Sequence, residues 1–254
     1  DFGASAGSRP LTWLLDPALL DAAKSLVAGN PPRSLAPPAA KTDTSSESPT
    51  PDSTTSPEPS PSSTEEPTEE DPEVAAAATA GSAWLDRLHE ALDSSEILAL
   101  PYGDVDVAAS AESDSSIYQR PRDRSGTVLA PWGLAMAPAI APPDGFLNDR
   151  AIDLVKNDTT ALVTDRMFPG GAPAVARTAG ARLVTTSSDA ATGGPGPDDP
   201  LATVALRQRI VSEAALRLLE PGHRPLVVVL PQNWSPTGSS GFFEGLDTGW
   251  LRLT

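Results

Sequence analysis

Carboxylates and flat aromatic rings recur just after the predicted strands of this chain. The candidate acid–base carboxylates are Asp16, Asp104, Asp106 and Asp165. The candidate ligand-binding residues in equivalent places are Tyr102, Trp132, Asp189, Gln232, Asn233 and Trp234. Aromatic faces stack on the CH groups of sugars, and carboxylates either accept hydrogen bonds from hydroxyl groups or serve as acid and base in glycoside cleavage. The combination therefore predicts a carbohydrate-binding face.

These carboxylates also have a structural interpretation, because Asp is a preferred N-cap residue of helices. Asp16 precedes Pro17, and proline suits the first turn of a helix. Asp104 and Asp106 stand two residues apart, which could place two carboxylates together or hold a hard cation. In the alternative, the loop turns into a helix that Asp106 caps. The sequence leaves both interpretations open.

Composition excludes several other chemistries. The chain has no cysteine and only two histidines, His89 and His223, so it cannot supply a thiolate site or a His-rich metal centre. It also lacks a glycine-rich phosphate-binding motif, and we therefore predict no metal and no cofactor. The net charge of −16 argues against nucleic acid as a partner, because phosphate contacts need clustered Lys and Arg. No run of about 18 apolar residues is present to span a membrane.

Proline and negative charge are concentrated in residues 31–73. This stretch holds 11 of the 28 prolines, ten acidic residues and two basic ones, and thus half of the net charge of −16. Such a composition cannot bury enough apolar surface to offset the entropy of ordering. We predict a disordered spacer, with an O-glycosylated stalk as the alternative, inserted between residues 1–30 and 74–254 of one folded domain. Because the first residue is Asp1 rather than Met, we expect a piece of a longer protein.

Six apolar runs alternate with amphipathic segments and would position the candidate residues. The predicted strands are residues 11–15, 97–100, 127–130, 160–164, 182–186 and 226–230. The predicted helices are residues 17–28, 82–92, 146–156, 174–179 and 198–220. This alternation predicts an α/β fold with a mainly parallel sheet, either a TIM-like β/α barrel (incomplete or seven-stranded) or an open doubly wound sheet. In both architectures the ligand face lies at the carboxyl ends of the strands.

Three stretches of the chain resemble a family of uncharacterised actinobacterial envelope proteins. They are residues 11–20, residues 98–108, and residues 207–209 followed by residues 226–234. Members of that family are domains of unknown function in long secreted, membrane-anchored chains that are encoded beside a MurJ-like lipid II flippase. The resemblance implies an extracytoplasmic domain tethered to the membrane by another part of the parent protein. It also implies a cell-wall glycan or an envelope protein, such as the flippase, as partner.

More distantly, the order of elements is similar to that of glycoside hydrolase/deacetylase β/α barrels. In those barrels the first strand often ends in a catalytic or metal-binding Asp, which would correspond to Asp16. The chain lacks the Asp-Asp pair and the H-x-x-x-H motif of the deacetylases, so the resemblance does not extend to metal-dependent deacetylation.

Three functions follow as hypotheses. The first is a non-catalytic glycan- or partner-binding module of cell-envelope and peptidoglycan assembly. The second is a metal-independent, glycoside hydrolase-like enzyme that uses two of the four candidate carboxylates. The third is a scaffold for a membrane partner such as a lipid II flippase.

Overall fold

The computed structural model describes most of the chain outside the predicted spacer. The described residues are 6–31, 71–93, 95–155, 158–178, 181–192, 202–222, 224–231, 234, 240–246 and 248–254. They form an α/β fold around one six-stranded sheet in the order β1-β2-β3-β4-β6-β5. Neighbouring strands are parallel except for the antiparallel pair of β5 and β6. The prediction of a mainly parallel α/β sheet is therefore confirmed.

Strands and helices alternate along much of the chain. The strands are β1 (Thr12–Leu15), β2 (Glu96–Ala99), β3 (Ala137–Ile140), β4 (Thr160–Thr164), β5 (Val175–Thr178) and β6 (Ala181–Thr186). The helices within the described residues are α1 (Pro17–Val27), α2 (Pro72–Leu92), α3 (Val107–Ser113), α4 (Ser116–Leu129), α5 (Asp149–Leu154), α6 (Ser188–Thr192), α7 (Thr203–Leu219) and α8 (Ser240–Glu244). Two 3₁₀ turns, Ala130–Trp132 and Asp165–Met167, follow α4 and β4.

Helices α1 and α2 both lie between β1 and β2 in the chain, and they pack against each other. A Cβ on Gly81 would lie 3.2 Å from Val27 Cγ2, so the missing side chain lets the two helices approach closely. A Cβ on Gly29, just after α1, would lie 3.5 Å from Val74 Cγ1 near the start of α2. Residues 29 and 74 therefore lie close together. Most of the predicted spacer, residues 32–70, lies outside the described residues, and α2 begins at Pro72, so its first two residues belong to the expected spacer.

The two faces of the sheet are covered differently. On one face, Ile97, Ile140 and Val163 pack under helices α1 to α5. On the opposite face, a cluster contains Leu14, Leu98, Ala137, Ala139, Ala141, Leu162, Val184 and Val229. No described helix contributes to this second cluster, yet Leu98 and Leu162 are each only 8% exposed. Strand side chains and Val229 therefore bury one another on that face.

Two predicted elements are wrong, and one strand was not predicted. Residues 127–130 end helix α4 instead of forming a strand, because Tyr118, Ser125 and Val128 share its buried face at helical spacing. The strand that was not predicted is β3, whose sequence contains a proline, a residue that is unfavourable in a central strand. Residues 174–179 were predicted as a helix, but Val175–Thr178 forms strand β5, because so short a segment gains more from pairing with β6 than from one isolated helical turn.

The expected last strand, residues 226–230, has no strand assignment. It nevertheless lies beside the end of β6, because Ser187 N donates a hydrogen bond to Val227 O at 2.9 Å. Leu226, Val228 and Leu230 pack on a cluster around Leu206, which lies in α7. The triple valine therefore marks a buried segment next to the sheet, as its apolarity indicated. No helix in the described part of the chain is both long and apolar enough to cross a membrane.

Candidate functional site

Two of the four candidate carboxylates are helix caps. Asp16 Oδ1 accepts hydrogen bonds from Ala18 N, in the first turn of α1, and from Gly103 N, both at 2.9 Å. The second bond ties the end of β1 to the loop after β2. Asp106 caps α3, since its Oδ1 accepts from Ala109 N at 3.0 Å. Both residues therefore act as the capping interpretation predicts. A carboxylate oxygen of each accepts a hydrogen bond from a free N–H group at the start of a helix.

Asp104 belongs to a tight turn between these two caps. It is half-buried, and its backbone φ of 47° lies in the left-handed region, directly after Gly103 at 76°. Its N–H donates to Pro101 O at 2.8 Å. Asp tolerates this conformation better than most residues, because its short polar side chain can bond locally. The contacts thus bring Asp16 and the Asp104 turn together at the carboxyl ends of β1 and β2.

A second polar group joins the carboxyl ends of β4 and β6. Asp165, directly after β4, accepts a hydrogen bond from Ser188 N at 3.3 Å, where helix α6 begins. Arg166 Nε donates to Ser188 Oγ at 3.1 Å, and Arg166 Nη2 lies 3.5 Å from Asp189 Oδ1. Both charged side chains of this last pair are more than 60% exposed, so the pair contributes little to stability. These contacts agree with the prediction that Asp165, Arg166 and Asp189 lie together at the carboxyl edge of the sheet.

The predicted aromatic residues are engaged by other side chains. The guanidinium of Arg124 lies over the Tyr102 ring, 5.4 Å from its centroid. A hydrogen bond from Arg124 to Asp21 raises the pKa of Arg124, which keeps this cation charged. Trp132 stacks on His89 with ring centroids 5.2 Å apart. One face of each of these two predicted ligand-binding rings is therefore occupied by a neighbouring side chain.

Trp234 lies in the region after residues 226–230. Its ring contacts Phe242 with centroids 5.2 Å apart, and it packs on the cluster around Leu206. This contact gives Trp234 a packing role in the fold. Gln232 and Asn233, which were predicted to bind ligand beside it, lie outside the described residues.

A pocket of about 480 Å³ opens where the loops after β2 and β3 meet. It is lined by Asp106, Asp144, Phe146 and Asn148 together with flanking Pro and Ala side chains and Leu147. Asp144 and Phe146 are exposed, the latter to 43%. We call this feature the edge pocket. It combines two carboxylates with one accessible aromatic ring at the edge of the sheet where α/β proteins bind ligands.

Short contacts fix the loop that carries the edge pocket. Gly145 adopts φ of 74°, and a Cβ there would lie 2.8 Å from both the N and the Cβ of Thr164, at the end of β4. Gly145 O accepts a hydrogen bond from Thr164 N at 2.8 Å. Asp144 Oδ1 accepts from Phe146 N at 3.0 Å, and Asn148 caps α5. The loop is therefore held against the end of the sheet, with Phe146 outward.

Sequence reasoning missed Asp144 and Phe146 as site residues. It assigned Phe146 to the apolar stripe of a helix, whereas α5 begins only at Asp149. The signal that could have found the loop is the sequence Pro142-Pro143-Asp144-Gly145, because prolines followed by Asp-Gly are typical of a turn.

Among the described residues, no group of three or more His, Asp or Glu side chains is arranged to hold a metal ion. Comparison of the chain with protein-family models, curated protein sequences and solved structures gives no match. The envelope-protein resemblance therefore stays a prediction.

Proposed function

We propose that this domain is a non-catalytic binding module whose ligand is a neutral glycan held at the edge pocket. The observation that carries the proposal is the exposed Phe146 ring beside the carboxylates of Asp106 and Asp144 in one pocket at the carboxyl ends of β2 and β3. Phe146 would stack on the CH face of a sugar ring. The carboxylate oxygens would accept hydrogen bonds from sugar hydroxyl groups.

Charge restricts the class of ligand. Two carboxylates face the pocket, Glu112 Oε1 accepts a hydrogen bond from Asn148 Nδ2 at its rim, and the chain carries −16 overall. An anionic polysaccharide would be repelled, whereas a neutral N-acetylated hexosamine chain would not. In line with the envelope-protein resemblance, we propose the neutral N-acetylglucosamine units of a cell-wall glycan as ligand and an extracytoplasmic, membrane-tethered location for the domain.

Carboxylate geometry favours binding over glycoside hydrolysis. A carboxylate pair for hydrolysis must face a cleft about 5 to 10 Å apart. Asp16, Asp106 and Asp165 each accept hydrogen bonds from backbone N–H groups at the start of a helix instead. The enzyme hypothesis is thus the less supported one.

We also infer that the sheet curls towards a β/α barrel. The parallel strands follow one another in sequence order from β1 to β4 and on to β6, with no reversal of the kind that marks a doubly wound sheet. Leu14, from one edge strand, and Val229, beside β6, belong to the same buried cluster. This cluster, formed without a described helix, supports a barrel interior.

Binding of N-acetylglucosamine tetramer tests the proposal, with isothermal titration calorimetry as the readout. We expect Phe146→Ala to weaken binding by about fivefold, since a lost ring–sugar contact is worth on the order of 1 kcal/mol. Asp144→Asn keeps the oxygen that holds the loop but removes the charge, so we expect a smaller loss. Trp84→Ala is the matched control, because Trp84 is an exposed aromatic residue (37%) on α2 that does not line the edge pocket.

The proposal is wrong if the wild-type chain does not bind the tetramer or isolated peptidoglycan strands. It is also wrong if Phe146→Ala and Trp84→Ala bind equally well to the wild type. Hydrolysis of the tetramer by the wild type would instead restore the enzyme hypothesis.

A scaffold function has one observation in its favour. Helix α7 ends with Leu216, Leu218 and Leu219, and Leu219 is 82% exposed. An exposed apolar patch of this kind is typical of a protein contact. If the chain acts as a scaffold for a membrane partner, Leu216→Ser with Leu219→Ser should abolish co-purification of the full-length parent with a lipid II flippase. Unchanged co-purification would show that this surface does not bind the flippase.

A further inference from the structure

A second pocket, of about 350 Å³, lies between helix α4 and strands β2 and β3 and shares no lining residue with the edge pocket. Its walls are mainly apolar, with Leu129, Leu134 and Met136 among them. Its few polar groups include Arg122 and Ser125, and Ser125 Oγ already lies 2.8 Å from Leu100 O. Arg122 is the charged residue among those that line this pocket.

Arg122 is held in place but only partly engaged. Its Nη2 donates to both carboxylate oxygens of Asp158, at 2.7 and 2.9 Å. Its side chain is 21% exposed, whereas that of Asp158 is 65% exposed and does not line the pocket. A guanidinium carries five N–H donors, and within the described residues its Nε and Nη1 groups have no protein acceptor. A positioned cation with unused N–H donors thus belongs to the lining of a mainly apolar pocket.

We propose that this pocket binds a small carboxylate with an apolar body, a site separate from the glycan site. The carboxylate would accept hydrogen bonds from Arg122, and the apolar body would lie against Leu129 and Met136. Partial burial strengthens such a charge-assisted hydrogen bond, and the pocket volume lies at the lower end of the range for small-molecule sites. A thioether side chain such as that of Met136 adapts to apolar groups of different shape.

We place the entrance of this pocket at Gly126. It is exposed on α4, it lines the pocket, and a Cβ at this position would meet no atom within 4 Å. A larger side chain there could be accommodated without a clash, and it would obstruct the entrance. Thr127, its exposed neighbour on the same helix, does not line the pocket and so offers a matched control.

Ligand-observed NMR with three probes of equal length tests the proposal on the full chain: hexanoate, hexanol and hexylamine. We expect hexanoate to bind at least tenfold more tightly than hexylamine. Arg122→Gln should weaken hexanoate binding at least tenfold while it leaves hexanol binding unchanged. Asp158→Asn removes the competing negative charge outside the pocket but keeps an oxygen that can position Arg122, so it should leave hexanoate binding equal to or tighter than wild type.

The entrance is tested with Gly126→Leu against Thr127→Leu, with a thermal melt of each variant to establish folding. Gly126→Leu should weaken all three probes at least fivefold, and Thr127→Leu should weaken none. Failure of hexanoate to bind the wild type, equal binding of hexanoate and hexylamine, or full binding by Gly126→Leu would each overturn the proposal. None of these results alters the outcome of the glycan titration, because the two sites share no residue.

Discussion

Asp16 is the candidate carboxylate for which mutation most clearly distinguishes a structural role from a catalytic one. Its Oδ1 accepts two backbone hydrogen bonds at 2.9 Å, from Ala18 N and Gly103 N. Removal of a helix N-cap costs about 1 kcal/mol, and loss of a second hydrogen bond to a charged acceptor adds roughly 1.5 kcal/mol at the low end of the usual range. We expect Asp16→Ala to lower the free energy of unfolding by about 2 to 3 kcal/mol.

Urea unfolding followed by circular dichroism measures this change. A loss of this size corresponds to a fall in Tm of roughly 5 to 10 °C for a domain of this size. Asp16→Asn retains an oxygen that can cap α1, so its free energy of unfolding should stay within about 1 kcal/mol of wild type. Asp189→Ala is the control, because that carboxylate is 61% exposed and should change stability by no more than about 0.5 kcal/mol.

An Asp16→Ala variant as stable as Asp189→Ala would refute the capping argument. An Asp16→Asn variant that keeps its stability but loses a hydrolytic activity present in the wild type would instead show that this capping carboxylate is also catalytic.

Three further predictions concern the fold. Gly145→Ala should lower the free energy of unfolding by about 2 kcal/mol or more, because its φ is positive and its Cβ would clash with Thr164; Gly170→Ala, with no atom nearby, should stay within about 0.5 kcal/mol in the same urea titration. Replacement of residues 32–70 by a six-residue Gly/Ser linker should leave the domain folded and stabilise it by about 1 to 2 kcal/mol through a smaller loop-closure entropy, and a loss of cooperative melting in calorimetry would contradict this. Burial raises the pKa of the Tyr118 hydroxyl above its ordinary value of 10.0, so its contribution to stability is present below pH 10 and is lost as the pH rises through the folded-state pKa. Wild type should therefore lose stability more steeply than Tyr118→Phe above pH 10, and parallel curves for the two proteins would show that this tyrosine does not control the alkaline limit.

The sheet and its carboxyl edge could be predicted because they rest on local patterns. The apolar run at residues 160–164 became β4 with the same bounds, and Asp16-Pro17 began a helix as its chemistry indicates. Strand β3 could not be found in this way. It consists of Ala-Pro-Ala-Ile, and only pairing with both neighbours makes a strand of such a sequence.

The edge pocket depends on contacts between loops, which a linear pattern does not encode. Phe146 is turned outward because Gly145 packs on Thr164. Gly145 and Thr164 stand about 20 residues apart in the chain. The aromatic residues after the predicted strands suggested ligand binding. In the structure, however, Trp132 packs against His89 and Trp234 packs against Phe242. An aromatic ring after a strand is therefore a weaker signal for a ligand than one in a turn that the fold holds open.

The most direct test of the glycan-binding claim is a chemical-shift map of the wild-type chain titrated with N-acetylglucosamine tetramer. The account predicts saturable amide shifts centred on residues 144–148 and on Asp106, with small changes at Asp165 and Asp189. Shifts absent from the edge pocket, or centred on another surface, would contradict it.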